Sequence, residues 1–126
     1  MLKKWLTPAA VSGALAVGLG ALGAHQLKSG ASLEQWEWFQ TAQRYHWMHT
    51  LAIWAAALTG TLLPTAERLA NWAARLFAGG LVLFSGSLYV MAFTGWSGLA
   101  PLNPLGGACF IAGWFTLAGV GWHARR

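Results

Sequence analysis

The residues best suited to chemistry lie where an apolar stretch begins, in the segment TAQRYHWMHT at positions 41–50. On a helix, Tyr45 and His49 are four residues apart and His46 and His49 are three apart, so these side chains share neighbouring faces. His25 lies at the end of the preceding apolar stretch. If the two stretches form antiparallel neighbouring helices, His25, Tyr45 and His49 can converge.

Four interpretations of this polar cluster are open. The first is a hydrogen-bonded cap that ties two helix ends together, as Tyr and His do at membrane interfaces. The second is a metal site formed by His46, His49 and His25; the sequence supplies no fourth ligand, so these are candidates only and no metal is predicted. The third is a proton or substrate route, because His titrates near neutral pH. The fourth is haem between His25 and His49, although no CxxCH motif is present. We therefore predict no cofactor.

The segment LFSGSLY (residues 83–89) adds two polar candidates. Ser85 and Tyr89 are one helical turn apart and share a face. A Ser hydroxyl can bond to a carbonyl one turn earlier, and Tyr89 lies toward the membrane side that carries the histidines. We include Ser85 and Tyr89 in the candidate cluster.

The acids argue against an enzyme. There are three, Glu34, Glu37 and Glu67, and none lies within an apolar stretch, where a proton-coupled exporter needs one. Glu37 and Arg44 are two turns apart, which predicts an ion pair. Nucleophile elbows, phosphate loops and nucleotide fingerprints are absent. We therefore predict no catalytic residues and a protein that is not an enzyme.

Charge is scarce and unevenly distributed. Asp, Glu, Lys and Arg make up 9% of the chain, about a third of the usual fraction. Four stretches lack them entirely, at residues 5–24, 46–63, 76–102 and 103–124. A helix needs about 20 residues to cross the hydrocarbon core, and the alternation of a barrel strand is absent. This pattern predicts one all-α integral membrane domain over residues 1–126, a four-transmembrane-helix bundle with short loops and spans at about 5–24, 46–63, 76–94 and 104–122.

The second helix is predicted to be the longest. Ser32 and Gln35 have the spacing of a capping box, which predicts a helix start near Leu33, and Pro64 ends the helix. Such a helix is roughly 46 Å long, more than the bilayer core. We therefore expect it to extend beyond the membrane on the outer side. Asn103 is predicted to cap the fourth helix.

The cations predict orientation. With both termini cytoplasmic, six cations lie inside and two, Lys28 and Arg44, lie outside, as the positive-inside rule favours. The inner six are Lys3, Lys4, Arg68, Arg75, Arg125 and Arg126. The net charge of +5 forms no basic stripe, so we predict a lipid bilayer as partner and no nucleic acid.

Small residues predict where the helices pack. Ridges of small residues let helix backbones approach closely in lipid. They can serve neighbours within the bundle, and association with another subunit is the alternative. The predicted packing positions are Ser12, Ala16, Gly20, Ala24, Gly79, Gly86 and Gly113.

Several segments together resemble a known family. They are GAHQLK at residues 23–28, TA and YH with His49 at 41–49, LFSGSLY at 83–89, and PLGG with Gly113 and Trp114 at 104–114. The chain resembles the YgdD/YwdK-like small membrane proteins, a domain-of-unknown-function family (family four-two-three), over nearly its whole length. Ala-His-Gln stands here where the family pattern has Ala-His-Gly. The resemblance implies a bacterial inner-membrane protein of four helices, and it brings no established reaction, substrate or cofactor.

Three functions follow as hypotheses. The first is a non-enzymatic structural or accessory component that forms homo-oligomers or supports a larger membrane complex. The second is a small transporter or channel in which His25, Tyr45, His49 and Tyr89 line an outward-facing vestibule. The third is a metal- or haem-binding redox accessory protein.

Overall fold

The computed structural model describes residues 1–126 and contains helices only. A π-helical turn at Leu81–Gly86 joins α3 to α4, so Pro64–Thr94 forms one continuous helical rod, here called the α3–α4 rod. The helices are α1 (Leu2–Gln26), α2 (Leu33–Leu62), α3 (Glu67–Gly80), α4 (Ser87–Thr94) and α5 (Leu102–His123), with a 3₁₀ turn at Pro64–Ala66.

Local sequence sets most helix ends. The capping box is present, because the Gln35 N–H donates to Ser32 Oγ at 3.2 Å and the Ser32 N–H donates to Gln35 Oε1 at 3.1 Å. Gly95 ends α4 with φ +74°, the left-handed conformation that glycine adopts at low cost. The prediction for Asn103 is wrong: α5 begins at Leu102, and the Asn103 side chain instead accepts a hydrogen bond from the Ser87 hydroxyl.

α1 and α2 are antiparallel neighbours along nearly their whole lengths. The Leu2 N–H donates to Thr61 Oγ1 at 3.0 Å at one end. At the other end, the Phe39 ring lies so close to Gly23 that an added methyl group would sit 2.1 Å from a ring carbon. α2 therefore begins level with the end of α1.

α2 does not project beyond its neighbouring helices, and its predicted extension beyond the membrane on the outer side stays a prediction. The Gln35 side chain in the first turn of α2 donates to the Ala92 carbonyl near the end of α4 at 2.9 Å. Phe39 lies in a core cluster with Leu27 and Leu88. One face of the amino-terminal half of α2 is therefore buried, through Phe39, Ala42 and His46. An interfacial helix has a similar mixture of apolar and charged residues, so the sequence alone does not distinguish the two positions.

Three helical segments are long and apolar enough to cross a membrane: Leu2–Gln26, Pro64–Thr94 and Leu102–His123. α2 is not among them, although it is 30 residues long. Its first half carries Glu34, Glu37 and Arg44, and two histidines follow. The protein is thus all-helical, with apolar helices of membrane-spanning length.

Most of the small residues predicted to form a packing ridge on α1 do face α2. Ala16 is buried, and a methyl group added to Gly20 would lie 2.8 Å from Gln43 Oε1. Ser12 contacts α2 through hydrogen bonds. Ala24 is exposed and lies outside this contact.

In the rest of the bundle, the glycines that closely contact a neighbouring helix are only partly the predicted ones. Gly113 lies against Phe77, where an added methyl group would be 2.7 Å from the ring. Gly79 and Gly86 have no neighbouring helix within 4 Å of such a methyl group, so they make no close helix contact within the bundle, and their packing against another subunit stays a prediction. Gly80 and Gly106 make the close helix contacts instead. Gly79 and Gly80 are successive residues of α3 that present different faces, so the sequence does not show which of them meets a neighbour.

Gly106 gives the sharpest test of this packing. An added methyl group would lie 2.5 Å from the backbone nitrogen of Phe84, and backbone cannot move aside cheaply. Gly106→Ala is expected to lower the free energy of unfolding by about 1–3 kcal/mol, the usual cost of overpacking. The measurement is unfolding in mixed micelles. The matched control is Gly107→Ala, where the methyl group meets nothing within 4 Å; equal losses in both variants would contradict the packing.

Candidate functional site

A chain of polar side chains crosses three helices inside the bundle. We call Gln43, Tyr89, His46, Ser12 and Thr50 the polar chain. The Gln43 side-chain amide donates to Tyr89 Oη at 2.7 Å, and Tyr89 Oη lies 2.8 Å from His46 Nδ1. His46 Nε2 lies 3.1 Å from Ser12 Oγ, which is 2.6 Å from Thr50 Oγ1. Every link between neighbours is therefore a hydrogen bond.

The spacing along α2 explains this alignment. Gln43, His46 and Thr50 stand at positions i, i+3 and i+7, which form one stripe of a helix. α1 brings Ser12 to this stripe and α4 brings Tyr89. Gln43 also donates to the Ala16 carbonyl at 3.0 Å, which joins the stripe to the α1 backbone.

The three hydrogen bonds that join Tyr89, His46, Ser12 and Thr50 can run in either of two directions. In one, Tyr89 donates to His46 Nδ1, and His46 Nε2–H donates to Ser12, which donates to Thr50. In the other, each of these hydrogen bonds runs in the opposite direction. His46 is neutral in both, because a neutral imidazole has one donor and one acceptor nitrogen. The arrangement satisfies polar groups, and none of the three acids belongs to it.

His49 belongs to a different contact, on the side of α2 that faces α5. Its Nδ1 lies 2.9 Å from the Tyr45 carbonyl, and the Trp114 indole N–H lies 3.1 Å from its Nε2. A carbonyl only accepts and an indole N–H only donates, so the hydrogen must be on Nδ1. The His49 ring also stacks on Phe110, with 3.6 Å between ring centroids.

The two histidines of the HxxH pair therefore serve different neighbours. His46 bonds Ser12 and Tyr89, whereas His49 bonds Trp114. His25 is exposed on α1 and makes no side-chain hydrogen bond, so the expected convergence of His25 with Tyr45 and His49 does not occur. No group of three His, Cys, Asp or Glu side chains is placed to hold a metal ion.

The remaining candidates are divided between the two sides of α2. The Ser85 hydroxyl donates to the Ala42 carbonyl at 3.1 Å and ties the π-turn to α2. Tyr45 packs on Phe84 and Phe110, with centroid distances of 4.7 and 6.0 Å, while its hydroxyl makes no hydrogen bond. Tyr45 is thus an aromatic packing residue.

The predicted Glu37–Arg44 ion pair is wrong. Both side chains are exposed, and the one pair within 4 Å joins the Met1 amino group to Glu67 at 3.6 Å. Seven residues of helix separate Glu37 from Arg44 by about 10 Å along the axis. Each side chain is solvated or interfacial without reaching the other.

Sequence patterns alone do not assign three members to the polar chain: Gln43 and Thr50 belong to no recognised motif, and the four-residue spacing of small residues predicts a packing role for Ser12. A signal did exist in α2, since Gln43, His46 and Thr50 stand at positions i, i+3 and i+7 and so share one face of the helix. The π-turn had no clear signal beyond the Ser85-Gly86-Ser87 sequence. It matters because Ser85 and Tyr89 lie in or just after this turn.

Aromatic rings fill the space between α2, the α3–α4 rod and α5. The ring centroids of Phe84 and Phe110 are 5.6 Å apart, and those of Phe77 and Trp114 are 5.0 Å apart. Four clefts lie at the surface, and no two share a lining residue. None of these clefts by itself extends from one end of the bundle to the other.

The Tyr89 hydroxyl holds the centre of the polar chain. Tyr89→Phe removes the group that Gln43 and His46 share, and we expect the free energy of unfolding to fall by about 1 kcal/mol, the scale of interhelical hydrogen bonds in membranes. Tyr45→Phe is the matched control, because that hydroxyl has no partner. Unfolding in mixed micelles gives both values; a Tyr45→Phe loss as large as that of Tyr89→Phe would contradict the role of the polar chain.

The tautomer of His49 can be observed directly. Nitrogen NMR of protein with ¹⁵N-labelled histidine is expected to show hydrogen on Nδ1 and none on Nε2. Trp114→Phe is expected to shift the Nε2 resonance of His49 and leave that of His46 unchanged, since His46 contacts other residues. A hydrogen found on Nε2 of His49 would contradict the observed Trp114 contact.

Comparison with known proteins identifies the family. Residues 19–107 match the family model described as a protein of unknown function (DUF423). The chain is 37% identical over 120 residues to a UPF0382 membrane protein of Haemophilus influenzae, covering 94% of this chain and 93% of that protein. It is 39% identical over 109 residues to the inner membrane protein YgdD of Escherichia coli (84% and 79% covered) and 35% identical over 116 residues to YwdK of Bacillus subtilis (92% and 94%). No solved structure matches. The polar and aromatic contacts described above therefore belong to a member of the DUF423 family, a family of membrane proteins whose molecular function is not established.

Proposed function

We propose that this protein is a non-enzymatic structural or accessory component of the bacterial inner membrane, without a cofactor, that acts by associating with another transmembrane chain. One observation carries the proposal: every buried side-chain nitrogen or oxygen already has a hydrogen-bond partner inside the bundle. No buried polar group is left to bind a substrate. The related proteins are described as membrane proteins, and their descriptions give no activity.

The proposal includes four membrane crossings, with α2 as the second. α2 lies antiparallel to α1 from the Leu2–Thr61 contact to the Gly23–Phe39 contact, so both helices cover the same depth. The polar residues that lower its hydropathy, His46, His49 and Thr50, are buried against other helices.

Arg44 is compatible with such a crossing. Its side chain is exposed and belongs to the amino-terminal half of α2. Side chains in a helix tilt toward the amino terminus, so Arg44 can reach the near interface with its guanidinium while its stem remains in lipid. Six cations at the opposite end favour cytoplasmic termini.

The surface of α1 supports association with another chain. Ala10, Ala14 and Gly18 follow one another at four-residue spacing on its exposed side, and no atom of another helix lies within 4 Å of a methyl group added to Gly18. In membranes this spacing of small residues permits close helix contact. This ridge differs from the one that faces α2, so it is available to a second copy.

Disulfide cross-linking tests this contact in native membranes. In a Cys109→Ala background, Ala14→Cys is expected to form a covalent dimer on mild oxidation. Phe115→Cys on α5, 75% exposed on another side of the bundle, is the matched control and is expected to remain monomeric.

Two results would reject the proposed association. One is an Ala14→Cys protein that stays uncrosslinked and runs as a monomer without a partner in mild detergent. The other is equal cross-linking of both variants, which would indicate random collision. No single cleft runs from one end of the bundle to the other, as a transporter would need, and the histidines do not converge, as a redox site would need, so the geometry favours neither hypothesis.

A further inference from the structure

Two clefts lie in line along one seam of the protein, between α1 and the α3–α4 rod. The lower cleft, ≈ 400 Å³, lies at the end that carries the amino terminus. The upper cleft, ≈ 290 Å³, continues toward the middle of the bundle. The seam is open because α1 packs extensively on α2 and on no other helix.

The lower cleft offers hydrogen-bond donors and positive charge. Its lining includes Lys4, Arg68 and Asn71. The indole N–H of Trp5 donates to Asn71 Oδ1 at 2.9 Å, so the oxygen of that amide is engaged and its NH₂ group has no partner. Glu67 is the one acid of the cleft, and its carboxylate lies 3.6 Å from the Met1 amino group. Together, Lys4, Arg68 and the side-chain NH₂ group of Asn71 offer the positive charge and the hydrogen-bond donors that bind phosphate oxygens.

The upper cleft suits hydrocarbon. Its walls are Pro8, Val11, Leu15, Leu19, Leu81 and Val82. Polar atoms do line its floor, but those of His46 and Tyr89 are hydrogen-bonded to each other and to the rest of the polar chain. A ligand there finds apolar walls and no free donor.

The two clefts have the dimensions of one lipid leaflet. Lys4, Pro8, Val11 and Leu15 follow one stripe of α1, and the eleven residues from Lys4 to Leu15 rise about 16 Å. Half of the hydrocarbon core is about 15 Å thick. With the amino-terminal end of the bundle at a membrane surface, a seam of this length reaches the midplane.

We propose that this seam binds one anionic phospholipid, with its phosphate at Lys4, Arg68 and Asn71 and an acyl chain in the upper cleft. Basic pockets between transmembrane helices at the cytoplasmic side are typical sites for anionic headgroups. A transmembrane helix is too large for the upper cleft, because 15 Å of helix about 10 Å wide occupies about 1,200 Å³. The site needs only that the amino-terminal end of the bundle lies at a membrane surface, so it is independent of the proposed association.

Native mass spectrometry of the full chain in mild detergent tests the headgroup site. Phosphatidylglycerol is expected to bind as one tight equivalent, and phosphatidylcholine much more weakly. Lys4→Gln/Arg68→Gln is expected to weaken phosphatidylglycerol binding about 25-fold, since each cation near the surface contributes roughly fivefold. The matched control is Lys3→Gln/Arg75→Gln, which removes the same charge at the same end from residues that do not line the cleft. Its affinity is expected to remain within about threefold.

A photo-crosslinker at Leu15 tests the acyl groove in membranes and is expected to give lipid adducts. Adducts with protein and none with lipid would mean that a helix covers the seam, and would overturn the proposal. Three binding results would also overturn it: equal binding of both lipids, equal loss in both double variants, or full displacement of phosphatidylglycerol by millimolar inorganic phosphate. The last would identify a simple anion site. The Ala14→Cys dimer is scored separately, so either proposal can fail alone.

Discussion

The structure depends on the requirement that a polar group removed from water must find its hydrogen bonds inside the protein. α2 carries most of the polar side chains of the interior, and in hydrocarbon an unpaired one costs several kcal/mol. His46 meets this requirement through Ser12 and Tyr89, one from each neighbouring helix. A helix of modest hydropathy can therefore occupy the centre of the bundle, because its polar atoms fix the positions of α1 and α4.

The two sides of α2 use different kinds of contact. Toward α1 the contact is made of hydrogen bonds and small residues, so the backbones lie close together. Toward α5 it is made of aromatic rings, with His49 stacked on Phe110 and bonded to Trp114. The aromatic side closes the interior, whereas α1 packs mainly on α2 and leaves a seam beside the α3–α4 rod. Because of that asymmetry, both proposed sites, for a partner chain and for a lipid, lie on α1.

The π-turn at Leu81–Gly86 links the two sides. It occurs where the α3–α4 rod passes from the aromatic contact with α5 to the polar contact with α2. Gly106 lets α5 approach the backbone of this turn at Phe84, and the Ser85 hydroxyl bonds α2. π-turns are rare and often occur at functional sites. Here the turn borders the upper cleft through Leu81 and Val82, so the packing of the core also shapes the proposed lipid groove.

Sequence by itself determined the all-helical membrane class, the start of α2 at its capping box, the break at Pro64 and the identity of the polar candidates. These features rest on local interactions and on long uncharged stretches, which act wherever the chain goes. Which side chains meet was decided by the tertiary structure. Adjacent positions such as Gly79 and Gly80, or His46 and His49 one turn apart, are nearly equivalent in a sequence pattern, yet they face different neighbours. The depth of α2, the exposure of His25 and the separation of Glu37 from Arg44 likewise depend on helix rotation and offset, which are set by the summed packing of several helices rather than by any local residue preference.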